Sequence, residues 1–296
     1  MRKDIVNVLN VLADSEGYMD THLPEVQFFR ASKDLLTMPV VYDQCICFAI
    51  QGSKSTRSGD RIMTYDPDNY LVVPTIMPFE CETRYTAEEP FLGVVIALDF
   101  PVLQEVIDAI GTEYGDASER LTPNPGMYLE RINGDMQESL LRLLKSLQCK
   151  GEAAVLGKQM IREVFYRVLM GEHGHVLASA ASGESSYAKI AKAIRIIHSK
   201  FSESMDVSQL AGQVNMSVRS FHDHFKAATN CTPFQYLKKI RLNHARRLLV
   251  IQRLQANVTA HMVGYESTSQ FSREFKKYFG YPPKDAQNMV SERMLQ

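Results

Sequence analysis

Two arginines carry the most specific chemistry legible in this chain. Arg219 and Arg273 lie in short hydroxyl-rich, basic stretches, SVRSFHDHFK at 217–226 and STSQFSREFK at 267–276, which match at an offset of fifty in Ser217/Ser267, Phe221/Phe271, Phe225/Phe275 and Lys226/Lys276. A guanidinium presented on a helix face donates two hydrogen bonds to guanine O6 and N7, a pairing that discriminates between bases by about 1–3 kcal/mol. Contact with phosphate alone is the other reading for each arginine. With the two phenylalanines of each copy turned inward, Arg219, Ser220, His222, Asp223 and Lys226 face outward in the first, and Thr268, Ser269, Ser272, Arg273 and Lys277 in the second. His222 and His224 are two apart on a helix, so they diverge and form no metal site.

The elements that must hold these faces are helices with defined ends. Ser217 and Ser267 are placed to cap them, while Asn230 and Gly280 fall where each should stop, with Pro233 and Pro283 three residues later. Ahead of each copy the pattern predicts another short helix. Asp206-Val-Ser-Gln209 reads as a capping box before Leu210, Ala211 and Val214, and Gln270 as the return half of a second box at Ser267. Ala211 and Gly212 are the small residues expected where two helices cross. Between the copies, Thr232-Pro-Phe-Gln235 opens a helix running to about Leu249, which at 1.5 Å per residue spans roughly 25 Å. That separation suits two readers in adjacent major grooves of one duplex.

Charge agrees with this assignment. From Tyr187 onward the chain has 17 Lys/Arg against 7 Asp/Glu, a balance of +10, whereas the preceding part has 16 against 27, or −11. The basic part suits a polyanion and the acidic part does not. No run reaches the ~18 apolar residues of a membrane span and the first residues do not resemble a secretory signal, so the expected compartment is the cytoplasm. The five cysteines lack Cys-x-x-Cys spacing, which argues against a disulfide framework or a structural zinc site.

The first hundred residues alternate like strands: Val26–Phe29, Val40–Gln51, Arg61–Tyr65, Tyr70–Val73, Phe79–Tyr85 and Phe91–Leu98, separated by turn formers. Cys45–Ile50 is apolar on both faces and should lie inside a cupin-like barrel or jelly roll. Candidate lining for an internal effector pocket is Tyr42, Cys45, Cys47, Phe48, Tyr70 and Phe91, although alternation alone does not separate pocket from packed core. Cys45 and Cys47 share a strand face with Cys81 on a neighbour, so thiol chemistry with an oxidant or electrophile is a narrower form of the same expectation. Two helices follow, one with a stripe of Met136, Leu140, Leu143, Leu144 and Leu147. The next carries a wider stripe including Met160, Ile161, Val164, Phe165, Val168 and Leu169. Burial against the barrel and burial against a second subunit both fit these stripes. The stretch GEHGHVLASAASGESS, 171–186, reads as a linker, and His173 and His175 lack further ligands nearby in sequence, so no metal is expected. Catalysis is not expected either: His22 is the only histidine before residue 173, and no nucleophile–base set can be assembled in the barrel.

The motifs NMS-x-RSFH-x-HFK, RL-x-x-ARRLL and VGYES-x-SQFSREFKKYFG-x-PP resemble the AraC/XylS family of bacterial transcription regulators. LGVVIALD at 92–99 and IREVFYRVLMGEHGHVL at 161–177 are similar to the effector-sensing N-terminal domain of one branch. The resemblance covers nearly the whole chain. It implies an α+β, two-domain protein: residues 1–180 for effector sensing and dimerisation, and an all-α double helix-turn-helix domain over 187–296. It implies double-stranded DNA, a small-molecule effector, a second copy of the chain and, for an activator, RNA polymerase as partners, with no cofactor, no membrane and no enzymatic activity. Base or backbone contacts are carried over to Arg219, Ser220, His222, Asp223, Thr268, Ser269, Ser272 and Arg273. The departures are Asp223, where relatives often carry a base, and His261, in place of a bulky apolar residue. An i−4 pair with Arg219 is the favoured role of Asp223 over acceptance from cytosine N4, and looser packing or simple space-filling the alternatives at His261. The other function class is an architectural DNA-binding protein whose barrel only dimerises.

Overall fold

The computed structural model describes residues 1–32, 38–58, 61–86, 89–111, 126–181 and 185–289. Its N-terminal part is two facing antiparallel sheets with a helical layer outside. The six-stranded sheet is ordered β1 (Gly17–Asp20), β2 (Val26–Ala31), β9 (Phe91–Ala97), β4 (Cys45–Gln51), β7 (Asn69–Val73), β10 (Tyr128–Arg131). The four-stranded sheet is β3 (Met38–Tyr42), β8 (Met77–Arg84), β5 (Ser53–Ser58), β6 (Arg61–Tyr65). The sheets remain separate, the jelly-roll form of the expectation and not a closed barrel. The stretch expected as one strand over 40–51 breaks at Asp43-Gln44, which passes the chain from one sheet to the other.

Period-two alternation distributes β4 between two cores. Cys45, Cys47 and Ala49 face the gap between the sheets, with Phe29, Met77, Phe79 and Phe91. Ile46, Phe48 and Ile50 face the helical layer, α1 (Arg2–Leu12), α2 (Phe100–Ile110), α3 (Gly134–Ser146), α4 (Lys150–Leu169) and α5 (Gly174–Ala181). Gly157 on α4 is required by close approach, since a Cβ there would stand 2.4 Å from a Leu23 methyl. The stripe residues of α3 are buried in this core, as are Ile161, Val164, Phe165, Val168 and Leu169 of α4. The apolar side chains left exposed along α4 and at its C-cap are instead Val155, Leu156, Tyr166 and Met170.

The segment expected as a linker over 171–186 contains α5, whose Val176, Leu177 and Ala178 join the N-terminal core. Its alanines are good helix formers, and the helix is held by the apolar face it covers.

The remaining helices form two further cores. Helices α6 (Ser186–Ser199), α7 (Val207–Gln213) and α8 (Val218–Thr229) pack with the first turns of α9 (Pro233–Val250) around Phe221, Phe225 and Tyr236. Helices α10 (Ala256–Met262), α11 (Thr268–Phe279) and the short α12 (Ala286–Met289) pack with the far end of α9 around Leu242, Leu249, Phe271 and Phe275. Each of these four phenylalanines is fully buried, worth about 1.5–3 kcal/mol of transfer free energy apiece. One long helix thus belongs to both units. Arg241, midway along it, donates to the carbonyls of Phe201, Gly264 and Glu203 at 2.7, 2.9 and 2.8 Å, tying the loops of the two units to a common support.

Candidate nucleic-acid interface and effector chamber

Both candidate reading helices are fixed at each end by the residues the pattern selects. Ser217 Oγ accepts from Ser220 N at 3.2 Å and Ser267 Oγ from Gln270 N at 3.3 Å. At their far ends Asn230 and Gly280 adopt the left-handed conformation with φ of 55° and 85°. The turn before each helix repeats as well: Met216 N donates to Ala211 O at 3.0 Å and Tyr265 N to Ala260 O at 2.9 Å. Asn215 and Gly264 supply the positive φ in these turns, 53° and 84°. At Gly264 no other residue fits, because a Cβ would lie 2.4 Å from Ser202 O. The second turn carries one extra residue, Glu266.

With Phe221, Phe225, Phe271 and Phe275 inward, the outward faces are those the sequence selects. Arg219, Asp223, Lys226, Ser269, Arg273 and Lys277 are exposed, and Ser220, His222, Thr268 and Ser272 are half-buried. Several finer expectations need correction. Arg219 and Asp223 do not form an ion pair among the described residues, and both side chains stand in solvent. Gly212 faces open space and is not needed for a helix crossing, whereas Ala211 is fully buried. His261 is exposed, so it neither fills nor loosens the core. Asp206 caps α7 by accepting from Ser208 N and Gln209 N, but the full reciprocal box forms at Thr232/Gln235. Gln270 turns to Glu274 instead of back to Ser267.

The six candidate pocket residues divide between two faces of one sheet. Tyr42, Cys45, Cys47 and Phe91 lie between the sheets, while Phe48 and Tyr70 lie on the opposite side against the helices, their rings 5.0 Å apart. Phe48 and Tyr70 therefore leave the set. The thiol expectation also weakens. Cys45 and Cys47 are 3.6 Å apart and buried; the Cys47 contact and burial push the Cys45 thiol up, and burial does the same to Cys81. Groups held as thiols are poor nucleophiles.

Lys54 is the inter-sheet residue that sequence reading missed. On β5 Lys54 and Thr56 point inward at period two, in a stretch so polar that it carries no strand signal. The Lys54 side chain is 6% exposed. Its Nζ lies 4.3 Å from the centre of the Phe29 ring, 5.5 Å from Tyr42 and 5.7 Å from Phe91.

A second missed feature joins the two halves. A cavity of about 170 Å³ lies between Tyr18, Val41, Tyr42 and Asp43 on the sheet side and His198, Ile240 and His244 on the helical side. At its margin Tyr236 OH donates to Ile76 O at 2.9 Å, and His198 Nε2 lies 2.9 Å from the same hydroxyl oxygen. The tyrosine has one proton, given to Ile76, so Nε2 carries its own proton and donates. These residues are distant in sequence and carry no local pattern. Glu172 and His173 are adjacent in sequence, and the strand residue Glu130 joins them in space, the three ligand atoms lying within 4.8 Å of one another where no further ligand was expected. Glu130 already accepts from His173 N at 2.9 Å.

The fold and the repeated units can be compared with known proteins. The family model described as the AraC-type transcriptional regulator N-terminus matches residues 22–176, just over half of the chain, and a helix-turn-helix domain model matches 210–289. The chain belongs to the AraC-type transcriptional regulators. Among curated relatives of this AraC-type chain, the HTH-type transcriptional regulator GbdR of Pseudomonas aeruginosa is 33% identical over 97 residues, 33% of this chain and 26% of GbdR. The HTH-type transcriptional activator RhaS of Pectobacterium atrosepticum is 25% identical over 158 residues, 53% of this chain and 55% of RhaS. The matches thus span between about a quarter and about half the length of these relatives. In fold, the chain is similar to ToxT of Vibrio cholerae, solved with an unsaturated fatty acid bound: TM-score 0.57 and 13% identity, covering 93% of this chain and 96% of ToxT. No helix among the described residues is long and apolar enough to cross a membrane.

Proposed function

We propose that this AraC-type protein is a sequence-specific DNA-binding transcription regulator whose N-terminal domain binds a small effector. The observation that carries the reading is the pair of capped helices with outward Arg219 and Arg273, mounted on one shared helix in the basic half of the chain. Residues 1–180 form the sensing domain and 187–296 the reader, with Arg219, Ser220, His222, Asp223, Lys226, Thr268, Ser269, Ser272, Arg273 and Lys277 contacting two successive major grooves. Tyr42, Cys45, Cys47 and Phe91 belong to the effector chamber. The exposed apolar face along α4 and its C-cap, Val155, Tyr166 and Met170, supports a homodimer acting in the cytoplasm, with RNA polymerase as partner when it activates.

Selection of bound sequences from random duplex DNA by the full-length protein, followed by footprinting, tests this. Two short motifs about one helical turn apart per monomer are expected. Absence of enrichment, with binding that vanishes at moderate salt, would overturn sequence-specific reading in favour of an architectural role.

A further inference from the structure

Glu130 is a carboxylate placed where an isolated charge is strongly disfavoured. On β10 it shares a face with Tyr128, turned toward the helical layer, and it pairs in register with Tyr70 of β7. Its side chain is 8% exposed. The phenol of Tyr70 is pushed up by burial and by this carboxylate. Among the described residues neither Glu130 nor Glu172 pairs with a lysine or arginine. A buried carboxylate is tolerated when a cation and hydrogen bonds compensate it, and here the cation is missing from the side-chain inventory.

The loop from α4 to α5 closes directly over this group. A Cβ at Gly171 would stand 2.9 Å from the Glu130 carboxylate, and His173 N donates to Glu130 Oε2 at 2.9 Å. The same loop brings two more donors. His173 Nδ1 lies 3.4 Å from Glu130 Oε2, shut off from solvent and without a hydrogen-bond partner, although the ring as a whole is 43% exposed. Glu172 completes a set whose three ligand atoms lie within 4.8 Å of one another. Its carboxylate is exposed, so rotation of the side chain closes that distance.

A ring nitrogen and a carboxylate oxygen that face each other without a hydrogen bond call for positive charge between them. A proton on Nδ1 supplies one charge against two carboxylates, whereas a divalent cation balances both and takes the nitrogen lone pair. The spacing suits this. Zinc bonds of 2.0–2.2 Å in a tetrahedron put neighbouring ligand atoms roughly 3.3–3.6 Å apart, and Nδ1 and Oε2 are at 3.4 Å. Calcium and magnesium take oxygen ligands in larger number, while an imidazole among carboxylates selects a zinc-like ion.

We propose that Glu130, Glu172 and His173 bind one zinc-like divalent ion, with a fourth position open to water on the exposed side of His173 and Glu172. The site lies on the helical-layer side of the sheet, away from the gap between the sheets, and does not depend on the effector-controlled reading. A bound ion pins the entrance of α5 to β10. Because α5 packs against α6, the first helix of the reading half, occupancy stiffens the joint between the two halves.

The test is calorimetric titration of full-length protein, stripped with a chelator and dialysed, with zinc chloride, and with magnesium and calcium chloride for comparison. One zinc ion per chain should bind at least tenfold more tightly than either of the others and raise the melting temperature. Glu130→Gln and His173→Gln should each lose zinc affinity tenfold or more and with it the rise in melting temperature. Glu172→Gln, at an exposed position that the fold does not need, serves the same comparison if the other variants do not fold. Cys149→Ser, which removes the exposed thiol, should bind zinc as the parent does. X-ray absorption at the zinc edge should show nitrogen and oxygen ligands only. Absence of zinc binding, affinity in the three ligand variants equal to that of the parent, or a sulfur ligand at the edge would overturn the proposal.

Discussion

The two arginines that meet DNA in this reading have no internal task. Arg219 and Arg273 are exposed, and neither is drawn into the described ion pairs, so each guanidinium fork is available for a base edge. Replacing either with alanine should therefore cost about 1–3 kcal/mol at one base position and leave the stability of the fold nearly unchanged. Binding measured across single-base variants of the selected site checks this: lost preference at separate positions for Arg219→Ala and Arg273→Ala is expected. Uniform weakening over all sequences would assign both to phosphate. Asp223, unpaired with Arg219 in the free protein, remains available to accept from cytosine N4 or to meet Arg219 once DNA orders that face. These outward residues were legible because a helix sorts its faces by a local period. Lys54 was not, because its burial follows from strand neighbours distant in sequence, and a lysine in a polar stretch reads as surface.

The helices that carry these residues are set by short-range chemistry, which is why their ends could be read from single residues. Ser217 and Ser267 each satisfy one otherwise unpartnered backbone donor, and loss of such a cap typically costs about 1 kcal/mol. Ser217→Ala and Ser267→Ala should each lower the free energy of unfolding in urea by about that amount, and Ser→Asp at either position should restore it, since a carboxylate caps and also favours the helix N-terminus. An unchanged midpoint in the alanine variants would show that water replaces the cap without cost. Strands were legible where the local pattern was strong, including the mostly exposed Arg61–Tyr65. β4 and β9, apolar on both faces, stood out, whereas β1, β5 and β10 are short or polar and depend on pairing with partners far along the chain. Helix α5 was mistaken for a linker because its alanines and glycines say little until Val176 and Leu177 find the N-terminal core.

At the scale of the molecule, the sensing sheets and the reading helices meet on α9, and the contact contains a group that titrates. Burial, with His244 nearby, lowers His198 from 6.5 to about 4, so the folded protein keeps it neutral where an unfolded chain would protonate it. The unfolded state then binds more protons between those two values. The resulting contribution to stability is fully present above about pH 6.5 and is lost progressively as the pH falls toward 4. His244, lowered by burial and by Arg247, acts in the same direction, whereas Asp43, raised by burial, opposes both at the acidic end. His198→Gln isolates the term, because glutamine can still donate to the Tyr236 hydroxyl but does not titrate. Urea midpoints measured from pH 7.5 to 4 should fall less steeply in His198→Gln than in the parent. Because His198 and Tyr236 sit where Tyr236 holds Ile76, limited proteolysis of the full-length protein should quicken over the same interval in the parent and less in the variant. Equal slopes in both proteins would mean that His198 is solvated in solution and that the interdomain contact opens without it.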